Sequence, residues 1–226
     1  MNEDVELARL VDAALPHVAF DGWSQATLQA AIDESGIAPG LARALVPRGA
    51  VDLALAWHRM GDARMTAALA ATDMSGLRFR DRVALAVRLR LQDADREVVR
   101  RGTALFALPA HAALGARAIW GTADAIWTAL GDTSRDVNWY SKRTILSAVY
   151  GATVLYWLGD ESPAQADTWA FLDRRIENVM QFEKVKAGIR ANPLGRALFA
   201  GPLKVLERIS APQPQDDLPG HSMKGL

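Results

Sequence analysis

Apolar residues recur along most of the chain at spacings of three and four, the period of a helix with one buried face. Leu7, Leu10, Val11, Ala14, Leu15 and Val18 share one side of a helix predicted over about 5–19. FDGW then turns the chain, Ser24 is placed to cap a second helix through its hydroxyl, and Gly36 ends that helix. Pro39 suits the start of a short third helix, and a fourth is predicted from about Ala50 to Thr72. The segment RVALAVRLRL (82–91) is ambiguous: Val83, Leu85, Val87, Leu89 and Leu91 alternate as in a strand. No turn residues bound it closely and a lone strand would have no partner, so a helix is predicted there too. Further helices are predicted at about 93–106, 109–130, 138–159 and 163–182. The last of these starts with Ser162 as cap, Pro163 at the first position and Gln165 at the third, a capping-box arrangement. The fold class expected is all-α.

Two stretches depart from the ordinary amphipathic pattern. From Ile145 onward the helix at 138–159 is apolar on all sides, which implies burial in a bundle or the lining of an apolar pocket. Helical spacing makes Leu146, Val149, Tyr150, Val154 and Trp157 the lining candidates. The second stretch is a helix predicted at about 192–209. Leu194, Leu198, Phe199, Leu203, Val205, Leu206 and Ile209 cover one broad arc, and Arg190, Arg196, Lys204 and Arg208 the other. Residues 184–210 hold six basic side chains and one acidic one. A cationic amphipathic helix of this kind suits a membrane surface or a partner helix, and Gly201-Pro202 is expected to kink it. The tail after Ile209 is rich in Pro, Gln and Asp and is expected to be disordered.

Composition narrows the chemistry. The 226 residues carry no net charge and no cysteine, so disulfides, thiolate metal sites and a cysteine nucleophile are excluded. The acidic start MNEDVELARL has the look of neither a signal nor a transit peptide, and no charge-free apolar run is long enough to span a bilayer. His17, His58, His111 and His221 stand in no paired ligand spacing, and each is expected to be an ordinary core-edge or surface histidine. There is no G-x-S-x-G elbow, Gly-rich phosphate loop or marked carboxylate pair. No metal, cofactor or catalytic residue is therefore expected, and the chain is read as not an enzyme.

Residues 8–60 run helix, FDGW turn, helix, short helix, helix, which resembles the N-terminal helix-turn-helix of TetR-type regulators. A recognition helix needs side chains for phosphates and base edges. Here it reads APGLARALV, with Arg43 as its one long polar side chain, and Phe20–Met60 hold three Arg against four acidic residues. The positive charge that drives counterion release is missing, so nucleic acid is not an expected partner. A ligand-sensing TetR-type regulator remains the alternative reading.

The stretch DVNWYSKR (136–143) poses the sharpest question, a Trp-Tyr pair at a helix start. Trp139 lies over Arg143, Leu146 and Tyr150, and Tyr140 over Thr144, Ser147 and Gly151. Adjacent side chains point about 100° apart, so at least one ring is expected to be partly exposed. An exposed aromatic beside Asp136, Lys142 and Arg143 is typical of a protein-binding hot spot.

The run from Ala125 to Val179 closely resembles the lipid-binding accessory proteins of ubiquinone (coenzyme Q) biosynthesis, the ninth Coq family. Trp127, D-x-N-W-Y (136–140), the Arg143 helix with Tyr150, Asp160, Ser162-Pro163 and D-T-W-x-F-L (167–172) carry the resemblance, with HVAFDGW and LRFRDRVALAVRLRL fitting earlier. It implies a TetR-like homodimer with a relic helix-turn-helix over 1–49 and a lipid-binding and dimerisation body over 50–183. A linker and membrane helix would follow over 184–210, and a tail over 211–226. It also implies an isoprenoid or phospholipid ligand, with demethoxyubiquinone hydroxylase as partner. The surface meeting that partner would comprise Asp136, Trp139 and Tyr140, with Asp124 and Ile126 as weaker matches. The transit segment of mitochondrial members is not seen, so a bacterial cytoplasm, peripheral to the inner membrane, is the expected location.

Overall fold

The computed structural model of the chain describes residues 3–191, and side chains as far as Val179. Among the described residues there are α-helices, one short 3-10 turn and no strand. The helices are α1 (Glu3–Asp21), α2 (Gln25–Ser35), α3 (Pro39–Leu45), α4 (Ala50–Ala71), α5 (Phe79–Gln92), α6 (Arg96–Ala107), α7 (Ala112–Ala129), α8 (Val137–Gly159) and α9 (Ala166–Ala191). The ambiguous 82–91 segment lies inside α5, where Val83, Ala84, Ala86, Val87, Arg90 and Leu91 are buried. That set follows the helical period, with neighbours buried together, which a strand would not allow.

Local chemistry sets several boundaries as expected. The Ser24 hydroxyl accepts from the Thr27 amide at 3.2 Å, and Gly36 closes α2 at a φ of 67°, a left-handed conformation that favours glycine. The start of α9 differs. Pro163–Gln165 form a 3-10 turn in which Ala164 and Gln165 have φ of 52° and 54°, so α9 begins at Ala166 rather than 163. Its cap is Asp160, whose carboxylate accepts from the amides of Ser162 and Thr168, both at 2.8 Å, and from the Thr168 hydroxyl at 2.5 Å. The Ser162 hydroxyl accepts from the Asp167 amide at 3.0 Å. These donors hold the Asp160 carboxyl well below the usual carboxylate range. α9 then runs to Ala191, into the segment read as a linker.

Two hydrophobic cores share one long helix. The first gathers Leu10, Val11, Ala14 and Val18 of α1, Leu28 and Ile32 of α2, Ala42 of α3 and Val98 of α6 around Leu53 and Trp57 of α4. The second gathers Met65 and Leu69 of the same α4, Val83, Val87 and Leu91 of α5, Ile126 of α7, Leu146, Val149, Tyr150 and Trp157 of α8, and Leu172 and Ile176 of α9. Each fully buried Leu or Ile contributes about 1.5–3 kcal/mol relative to exposure. α4 serves both cores along its length, with Leu53 and Trp57 in the first and Met65 and Leu69 in the second.

α8 is not buried all round. Leu155 is 63% and Tyr156 40% exposed, and Tyr156 stacks on Phe171 of α9 with ring centroids 4.6 Å apart. The outer side of the α8–α9 pair is thus an apolar face. No described helix is long and apolar enough to cross a membrane. The helix predicted at 192–209, with Leu194, Arg196, Leu198, Phe199, Leu203, Lys204, Leu206 and Arg208, lies outside the described residues, as do the side chain of Arg190 and the tail.

Candidate functional site

DVNWYSKR forms the N-terminus of α8, and its residues divide the work. The Asp136 carboxylate accepts from the Asn138 amide at 3.0 Å and from the Asn138 side-chain amide at 2.8 Å, capping the helix. One turn in, Arg143 is buried. Its guanidinium bonds Asp124 at 2.5 Å, Asp132 at 3.0 Å and the Trp139 carbonyl at 3.2 Å. Lys142 donates to Asp132 at 2.7 Å and to the Ser134 hydroxyl at 2.6 Å. The side chains of Arg143 and Asp132 are each 3% exposed. Burial alone would raise the Asp132 carboxyl, but hydrogen bonds from Lys142, Ser134 and Arg143 outweigh it and hold the group down at about 2.

The aromatic pair sits on this ionic base. Trp139 covers the Arg143 guanidinium with the cation 4.0 Å from the ring centroid, and Tyr140 meets Trp139 edge-on at 4.8 Å. Trp120 of α7 completes the cluster, 5.9 Å from Trp139 and 6.5 Å from Tyr140. Trp139 and Tyr140 both remain partly exposed. Of the residues expected at a partner surface, Asp136, Trp139 and Tyr140 come together there. Asp124 is 44% exposed but engaged with Arg143. Ile126 is corrected: it is fully buried in the second core, because its side of α7 faces α4 and α8. Trp120 and Asp132 belong to the site and were not expected, whereas Lys142 stands beside the aromatic pair as the sequence suggested.

The candidate pocket residues separate. Leu146 and Val149 line a cavity of about 230 Å³ between α5, α8 and α9, beside the stacked Phe79–Trp127 pair. Tyr150 and Val154 line a wider one of about 400 Å³ where α4, α6, α7 and α8 meet, walled by Trp23, Trp57, Phe106 and Ile119. Trp157 lines neither; it is buried beneath the Arg96 guanidinium at 5.0 Å. Successive turns of α8 face different gaps because it packs against both α7 and α9.

One end of the wider cavity is polar. Arg90 of α5 donates to Asp62 at 2.7 Å, and the Thr122 hydroxyl also donates to Asp62, at 2.9 Å. Thr122 therefore accepts from His58 Nε2 at 2.9 Å, which leaves His58 Nδ1 to accept from Arg90 at 3.4 Å. Burial, opposed by Asp62 and aided by the Arg90 charge, lowers the His58 imidazole to about 4, so the ring is neutral at pH 7. His58 is thus a cavity residue rather than an ordinary edge histidine. Among the described residues no group of three or more His, Asp or Glu is arranged to hold a metal ion.

α3 offers little to DNA: Arg43 is its one basic residue. The fold is nevertheless TetR-like. The chain is similar to a TetR transcriptional regulator from Nitrosomonas europaea, with a TM-score of 0.60 and 18% identity over 76% of this chain and 95% of the other. The likeness is one of fold alone.

The sequence comparisons point elsewhere. Residues 112–183 match the COQ9 family model. The chain is 30% identical over 186 residues to a Drosophila melanogaster protein named ubiquinone biosynthesis protein COQ9, covering 80% of this chain and 57% of that protein. It is 29% identical over 189 residues to a probable counterpart in Dictyostelium discoideum, covering 80% and 62%. It is 27% identical over 202 residues to the Homo sapiens protein, covering 85% and 63%. The chain thus spans about three fifths of the length of these relatives. All three are named mitochondrial, which overturns the expected placement in a bacterial cytoplasm at the inner membrane. The matched segment holds α7, the DVNWYSKR cap, α8 and much of α9. Over it, the chain is similar to the COQ9 family.

Proposed function

We propose that the chain is a non-catalytic lipid carrier of ubiquinone biosynthesis, which holds an isoprenoid or phospholipid ligand and presents it to demethoxyubiquinone hydroxylase. The observation that carries this reading is the cavity of about 400 Å³ between the two cores, apolar but for one end. Its size lies in the range of ligand pockets, and its aromatic walls suit an unsaturated chain. The names of the relatives supply the pathway. The partly exposed aromatic cluster of Trp120, Trp139 and Tyr140 supplies a docking patch, since aromatic rings give large contact area for little rotamer entropy. The segment 184–210 would touch the membrane surface from which the ligand is drawn. The regulator reading lacks comparable support, because α3 carries one basic residue.

Mass spectrometry of an organic extract of the purified protein tests the carrier. A lipid approaching one molecule per chain is expected. Protein that is lipid-free and takes up neither a quinone nor a phospholipid would overturn the reading. The apolar face of α8 and α9 supports a homodimer through these helices, with Leu155 and Tyr156 at its centre. Sedimentation is expected to find dimers at micromolar concentration and monomers for Leu155→Glu. A native chain that sediments only as monomer would refute the dimer.

A further inference from the structure

The polar end of the wider cavity is built around one arginine. Arg90 donates from Nε to Asp62 at 2.7 Å, and from Nη2 to the His58 carbonyl at 3.0 Å and to His58 Nδ1 at 3.4 Å. Its Nη1 has no hydrogen-bond partner among the described residues, although the side chain lines the cavity and is only 3% exposed. A cationic donor that faces a cavity is free to bond whatever acceptor enters it. The charge itself is already balanced. Asp62 pairs with Arg90, His58 is neutral at pH 7, and burial raises the Tyr150 phenol and so keeps it protonated. The cavity therefore ends in a spare donor without a spare charge. A carboxylate or phosphate would carry an uncompensated negative charge into an apolar site, whereas an uncharged oxygen would not.

We propose that Arg90, held flat on Gly61 and fixed by Asp62 and His58, anchors the uncharged oxygen of a ring carbonyl or hydroxyl at the head of an apolar-tailed ligand. This rests on the carrier reading and adds to it the position and charge state of the head. A cavity of about 400 Å³ takes the head and the first part of a tail.

Titration calorimetry of the full chain with hexyl-benzoquinone, hexylbenzene and hexanoate tests the anchor. The quinone is expected to bind tighter than hexylbenzene by about tenfold or more, the worth of one charge-assisted hydrogen bond, and hexanoate weaker than the quinone. Gly61→Ala supplies the variant. A Cβ there would meet Arg90 Cζ at 2.6 Å and Nη1 at 2.7 Å, so the guanidinium must move, while alanine improves the helix propensity of α4. The variant is expected to lose the preference for the quinone and to keep its hexylbenzene binding. Equal binding of quinone and hexylbenzene to the native chain, hexanoate as the tightest ligand, or an undiminished preference in folded Gly61→Ala would each overturn the anchor and leave the carrier standing. Binding of none of the three would overturn both. If Gly61→Ala does not fold, the three native titrations decide alone.

Discussion

Arg143→Ala is expected to destabilise the chain by about 3–5 kcal/mol, the cost of removing one partner from a buried ion pair. The guanidinium answers two carboxylates, and of these Asp132 is as buried as the arginine itself. Lys142 still reaches Asp132 in the variant, which sets the loss toward the lower end of the range. Trp139 also loses the cation beneath its ring, and the α7–α8 turn loses the group that ties Asp124, Asp132 and the Trp139 carbonyl together. Urea denaturation measures the effect. Arg143→Lys keeps the charge but not the planar fork, and is expected to fall between native and alanine. A loss below about 1 kcal/mol for alanine would mean that the network contributes geometry but little stability.

The same network gives the fold an acid limit. Asp132 is held from an ordinary 3.8 down to about 2, so its contribution is fully present above pH 3.8 and is lost as pH falls through about 2. His58 acts at milder pH. It stays neutral in the fold down to about 4 but protonates in the unfolded chain below 6.5, so stability declines as pH falls from 6.5 toward 4. A two-stage loss follows, the first stage of which His58→Gln should flatten.

How much of this was legible depends on the range of the interaction. Helix positions came through because the apolar period and the caps at Ser24, Gly36 and Pro39 are local signals. The 82–91 segment was settled by elimination of a partner strand, and α5 agrees. The α9 start was misplaced because Ser162 offers a capping-box pattern while the carboxylate that closes the turn, Asp160, lies upstream of it. Ile126 was expected at the surface from its place in the motif, and burial put it in the core. The pocket residues were read as one stripe on α8, and the packing of α7 and α9 divided them between two cavities. Least visible were pairings across 28 and 60 residues, Arg90 with Asp62 and Thr122 with Asp62. Nothing local announces them, since His58 and Asp62 alone read as one polar pair on a helix. Trp120 was missed likewise, because its partners lie on another helix.

Tyr140→Ala is expected to weaken binding of the hydroxylase by about 2 kcal/mol, roughly thirtyfold, the range of an aromatic hot spot. Tyr140 is the cleaner probe of the docking patch. Trp139 shields the buried Arg143 guanidinium, so Trp139→Ala is expected to lose stability as well as affinity, through both the cation contact and the ring cluster. Tyr140 meets Trp139 edge-on and Trp120 only at 6.5 Å, so its truncation is expected to cost the fold less than binding. Asp136→Ala separates a third effect. It removes the α8 cap, worth about 1 kcal/mol of stability, and frays the turn that presents both rings. Affinity measured by calorimetry beside urea denaturation of the same variants gives each residue two numbers. The docking patch predicts a larger binding loss than folding loss for Tyr140, comparable losses for Trp139, and a binding loss for Asp136 no greater than its folding loss. Unchanged hydroxylase affinity in a folded Tyr140→Ala protein would assign the aromatic pair to packing over Arg143 and move the docking surface elsewhere.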